Sequence, residues 1–203
     1  MTYNENLFIS EIIQGCIEYG ISLHLQNKEI IYDTSTESYC EGYFDDNNKT
    51  VVIASKQDTR SFIFTLSHEF CHIKQWQENY KPFLTINPSI DIMNEYMLGR
   101  IKRTKKVDRA IDKVQKLELD CEKRNVKLLR SHVHYKKEDC IKRANAYIYF
   151  YSVLKETGKW YTTSPDKSAM IMSTMPINFV NNYDLTPELL DLYQKHCYSV
   201  NLH

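Results

Sequence analysis

Apolar side chains recur at Phe8, Ile9, Ile12, Ile13, Cys16 and Ile17, a helical stripe over residues 5–19 that Gly20 closes. The period then shortens. "EIIYD", "ESYCEGYF" and "KTVVIAS" read as strands, and the turn-rich "DDNNK" between the last two predicts a hairpin around residues 39–54. Asp58 and Thr59 are placed to cap a second helix that runs to about Gln77. From Tyr80 to Ile92 the Pro and Asn content predicts an irregular loop.

Helical spacing returns in "VDRAIDKVQKLELDCEKRNVKLL", with Val107, Ile111, Val114, Leu117, Cys121 and Leu128 on one side and charges on the other. "EDCIKRANAYIYFYSVLKE" predicts another helix that stops at Gly158, and its aromatic face reads as core. A Ser/Pro/Met-rich stretch follows, and then "LTPELLDLYQKHC", with Thr186 as cap and Pro187 at the first helical position. The expectation is a helix-rich α+β chain forming a single domain over residues 1–203.

Composition narrows the function classes. Lys and Arg number 26 and so do Asp and Glu, so whole-chain charge points to neither nucleic acid nor a membrane surface. The basic run "GRIKRTKK" at 99–106 lacks interleaved aromatic residues and reads as a solvated helix end. "MTYNENLFISEIIQG" places acidic and polar residues where a signal peptide needs a basic start and an apolar run. Six cysteines without paired spacing read as reduced thiols, and a cytoplasmic protein is expected.

The chemistry-bearing stretch is "FIFTLSHEFCHIKQWQ", residues 62–77. On a helix His68 and His72 stand one turn apart and roughly 40° around the axis, so both imidazoles reach one point. Glu69 falls roughly 60° to one side of His72, beside a metal held by the pair without being forced to ligate it. A catalytic zinc usually takes a third protein ligand. Glu118 sits in the apolar stripe between Val114, Leu117 and Cys121, where an unpaired carboxylate is costly to bury, and Asp120 and Glu122 are alternative donors. A salt-bridged helix face would also spell "ELDCEKR". His132 and His134 in "SHVHY" read as surface residues.

"FTLSHEFCH" resembles the metal-motif segment of the ImmA/IrrE family of metallopeptidases, and "ELDCEKRNVKLL" resembles the segment that supplies the third ligand there and in gluzincins. The match covers the middle half of the chain. It departs where Glu122 replaces a shorter Asp or Asn, where Cys71 stands in place of a common Gly, and in a long insertion between His72 and Glu118. The C-terminal third, including "CIKRANAYIYFYS" and "MSTMPINF", looks similar to metallopeptidase-like proteins of large bacteriophages, a likeness that implies no substrate. The resemblance implies Zn2+ held by His68, His72 and Glu118, with Glu122 in the supporting position. It also implies a zincin-like fold whose small sheet packs on the motif helix, with "KTVVIAS" as a candidate edge strand for an extended peptide or, equally, a core strand.

The function expected is an intracellular zinc metallopeptidase in which Glu69 is the general base for a metal-activated water. Its expected partner is a protein or peptide substrate, such as a regulator, with no membrane and no nucleic acid expected. A zinc-stabilised binding or regulatory module without catalysis is the alternative, as is a DNA-associated regulator; retention of Glu69 speaks for catalysis, and the neutral charge speaks against DNA.

Overall fold

A computed structural model describes residues 1–34 and 36–198 of the chain. The fold is helix-rich α+β with a small sheet, as the sequence predicts. The chain divides into two compact units, Met1–Ile86 with Asp120–Tyr135 and Asn87–Leu119 with Lys136–His203.

In the first unit, helix α1 (Tyr3–Glu18) begins with a reciprocal cap. The Thr2 hydroxyl accepts from the Glu5 amide at 3.3 Å while Glu5 Oε2 accepts from the Thr2 amide at 2.6 Å, a pairing worth about 1 kcal/mol. Strands β1 (Ser22–Gln26), β2 (Ile31–Asp33), β3 (Ser38–Cys40), β4 (Gly42–Asp45) and β5 (Thr50–Ala54) follow. The sheet runs in the order β1-β5-β4, with β1 parallel and β4 antiparallel to β5, while β2 and β3 pair separately. The hairpin between β4 and β5 turns on Asp45, whose Oδ1 accepts from the amides of Asn47 and Asn48 at 3.0 and 3.1 Å. β5 is therefore the middle strand, hydrogen-bonded on both sides, so of the two readings of "KTVVIAS" the core strand holds and the edge does not. β1 and β4 hold the edges.

Helix α2 (Thr59–Gln77) starts where Asp58 accepts from the Ser61 amide at 3.0 Å. Val52 and Ala54 pack with Ile31 on one face of β5; on the other, Ile53 turns toward α2. A Cβ on Gly42 would lie 2.8 Å from both Ile53 Cδ1 and Thr65 Cγ2, so β4 reaches α2 only because residue 42 has no side chain. Short helix α3 (Lys81–Leu84) ends this part of the unit.

The second unit contains α4 (Asn87–Met97), the opening part of α5 (Lys105–His132), α6 (Lys137–Thr157), a 3-10 turn (Pro165–Lys167), α7 (Ala169–Thr174) and α8 (Pro187–Cys197). The loop expected over 80–92 is instead α3 and the start of α4. Pro82 and Pro88 occupy first turns, where the missing N–H costs nothing, so they initiate helices rather than break them. α6 is buried on nearly all sides, with Ile148, Phe150, Val153 and Leu154 fully enclosed, and Gly158 closes it at φ 66. Its buried Asn145 donates to the carbonyls of Pro176 and Asn178 at 2.9 and 3.0 Å and accepts from Tyr183 Oη at 2.8 Å. Thr186 caps α8 as predicted. Among the described residues no helix is long and apolar enough to cross a membrane.

Candidate metal centre

The buried side of α2 faces the sheet and the Asp120–Tyr135 part of α5. Ser67 joins the two helices, its hydroxyl donating to Asn125 Oδ1 at 2.6 Å. One residue on, His68 and His72 meet edge to face, with ring planes at 81° and Nε2 atoms 3.1 Å apart. Two nitrogens bound to one tetrahedral zinc at the usual bond length lie about 3.3 Å apart, so the pair is already set near that separation.

The far side of each ring is tied to an acceptor. His68 Nδ1 lies 2.7 Å from Glu122 Oε1, and His72 Nδ1 lies 2.8 Å from Gln75 Oε1. An ionised carboxylate only accepts, so His68 donates from Nδ1 and presents a lone pair at Nε2. The Gln75 oxygen asks the same of His72. Two lone pairs at 3.1 Å repel unless a cation lies between them, either a proton or a metal ion.

Cys121 is the third member of a group that could hold a metal ion: ligand atoms of His68, His72 and Cys121 all lie within 4.8 Å of one another. Its sulfur sits on the Nδ1 side of His68, at 3.7 Å, and donates to the His68 carbonyl at 3.4 Å. The adjoining Cys71 thiol is buried, and its side-chain interaction with Cys121 lowers its pKa against the opposing effect of burial. None of the six cysteines is in a disulfide.

Glu69 is 7 % exposed. It reaches toward the β3–β4 region, where burial first and then the Glu69 charge push the Cys40 thiol up to about 12. Glu118 belongs to the second unit, where its Oε2 accepts from Tyr147 Oη at 3.3 Å and Tyr147 meets Tyr151 Oη at 2.8 Å. Burial, and then the Glu118 charge, raises the Tyr147 phenol well above its usual range.

The alternative acids have other occupations. Asp120 Oδ2 accepts from Gln75 Nε2 at 2.8 Å and Arg124 Nε at 2.7 Å, and Arg124 also donates to Glu78 at 2.7 Å and lies over the Tyr80 ring. Glu122 holds the outer nitrogen of His68. His132 is elsewhere, paired with Glu11 at 2.8 Å and tilted against Phe8. Sequence reasoning missed Gln75, Asn125 and Arg124. The available signal was a polar residue at each of two buried helical positions, Gln75 three beyond His72 and Asn125 four beyond Cys121.

No protein-family model matches the chain, and no curated protein or solved structure matches it at a significant level.

Proposed function

We propose that this chain is a zinc-dependent metallopeptidase of the HExxH type, on a zincin-like fold with the β1-β5-β4 sheet beside the motif helix. The observation that carries the reading is the facing Nε2 pair at 3.1 Å with both outer nitrogens tied to acceptors. That donor set fits a divalent ion of borderline softness bound by neutral imidazoles. His68 and His72 would hold it together with Glu118. Asp120 and Glu122 are committed to Gln75, Arg124 and His68, and Glu118 to Tyr147, so the choice of Glu118 rests on the resemblance of its segment. The likeness of "FTLSHEFCH" and "ELDCEKRNVKLL" to ImmA/IrrE peptidases supports the same set.

Zinc bound there would supply acidity to a water and polarisation to a carbonyl. Glu69 accepts the water's proton at its carboxylate and delivers it to the departing amine nitrogen. Its burial keeps that carboxylate from bulk water. The substrate would be a protein or peptide. β4, the edge strand nearest α2, replaces β5 as the strand able to pair with an extended segment. Six cysteines outside any disulfide are consistent with a reducing, cytoplasmic setting.

The proximity of Cys121 favours a second reading, a zinc-stabilised module without catalysis, because thiolate ligands are typical of closed structural sites. One experiment separates them: zinc per chain and cleavage of a casein-like protein mixture for wild type, Glu69→Gln, Glu118→Ala and Cys121→Ala. The peptidase reading expects Glu69→Gln to keep zinc and lose cleavage, Glu118→Ala to lose zinc, and Cys121→Ala to keep it. Zinc lost from Cys121→Ala but retained in Glu118→Ala favours the module.

A further inference from the structure

Gln75 is fully buried, three residues beyond His72, and its two polar atoms do opposite work. Oε1 faces His72 Nδ1 at 2.8 Å; Nε2 faces Asp120 Oδ2 at 2.8 Å. An amide is symmetric enough to fit either way round, so something must choose its direction. Asp120 does so. Its carboxylate can only accept, and turning the Gln75 amide over would set oxygen against oxygen. The charge is held in place by Arg124, which donates to the same Oδ2 at 2.7 Å and is itself paired with Glu78.

The direction matters at the opposite edge of the imidazole. With oxygen toward Nδ1, His72 carries its proton there and offers Nε2 as a base. With the NH2 toward Nδ1, the neutral ring must accept at Nδ1 and carry its proton at Nε2, where it blocks a metal. We propose that Asp120, acting through Gln75, fixes the tautomer of His72 and so sets the zinc affinity of the site. Both are positioning residues, and the inference rests on the metallopeptidase reading above for the identity of the ion.

The test uses the full chain and zinc alone as probe. Zinc affinity is measured by chelator competition, and the His72 tautomer is read in the metal-free chain from imidazole 15N shifts. Gln75→Leu is expected to lose about 10–100-fold in affinity, the range for removal of such outer partners. Asp120→Ala should lose about 10-fold. Asp120→Asn keeps an oxygen for both donors and should restore most of it. In the Gln75→Leu background Asp120→Ala should cost nothing further, because its effect passes through the amide.

In the 15N spectra, wild type and Asp120→Asn should show His72 protonated at Nδ1, with Asp120→Ala shifted toward Nε2–H. Asp120 is partly exposed, so its variants report even where Gln75→Leu fails to fold. Undiminished zinc affinity in Asp120→Ala, losses that add in the double variant, or an unchanged 15N pattern would overturn the inference. A wild type that binds no zinc overturns the peptidase reading, and the 15N comparison then decides the tautomer assignment separately.

Discussion

Glu122 Oε1 lies 2.7 Å from His68 Nδ1, across a separation of 54 residues. This charge-assisted bond fixes the orientation of the ring that opens the metal motif and raises the basicity of its other nitrogen.

Glu122→Ala should therefore weaken zinc binding by about 10–100-fold while leaving the fold in place. Glu122→Gln, which keeps an acceptor oxygen, should lose less. Chelator competition and circular dichroism, run together, check both. Equal affinity in Glu122→Ala and wild type would remove Glu122 from the account.

Glu69→Gln should retain zinc and melt within a degree or two of wild type, yet lose cleavage by roughly 10²–10⁴-fold, the usual worth of a positioned base. Metal analysis, a thermal melt and a protein-mixture digest are sufficient. Cleavage at wild-type rate would rule out Glu69 as the base.

Gly42→Ala should destabilise the first unit by about 1–3 kcal/mol, the ordinary cost of overpacking. Its added methyl meets Thr65 Cγ2 and Ile53 Cδ1 at 2.8 Å and the Val52 carbonyl at 3.2 Å. Neither strand nor helix can yield without disturbing the sheet. Urea denaturation checks this, and the Thr65→Ser background, which removes Cγ2, should recover part of the loss.

Alkali should destabilise the protein. Burial pushes the Cys16 thiol up from an ordinary 9.0 to about 11, and Cys40 reaches about 12 through burial and the Glu69 charge. Both folded values are raised, so the contribution is full below the unfolded value and is lost as pH rises through the folded ones. The melting temperature should hold to about pH 8.5 and decline above it, with a shallower slope in Cys40→Ala. A curve in that variant superimposable on wild type would count against Cys40 as a contributor.

Much of the local structure was legible in sequence because its causes are local. Asp58 and Thr186 cap where their side chains meet the next turn, and Gly158 ends α6 because it takes a positive φ. β1, "SLHLQ", escaped because two leucines in five residues make too short an alternation to register. The proline-bearing stretch was misread because Pro initiates helices as readily as it breaks them. The rank of β5 within the sheet depends on β1, a strand pairing in parallel across the intervening hairpins, which no periodicity reveals. In the candidate centre, HExxH is local, so the approach of His68 and His72 was readable. The direction of the Gln75 amide depends on Asp120, 45 residues away, and only the packing of α2 on α5 brings them together.

That packing makes α5 a ruler. Asp120, Cys121, Glu122 and Asn125 engage α2 from fewer than two turns of helix, each at its own angle around the axis. One residue inserted between Asp120 and Asn125 would swing everything on one side of it by about 100° and separate Ser67 from its anchor or the histidines from theirs. The exposed turn between β4 and β5 could be lengthened by protein engineers at the modest cost of its Asp45 bonds and a longer loop. α5 could not, and a library of single-residue insertions should find it the least forgiving segment of the chain.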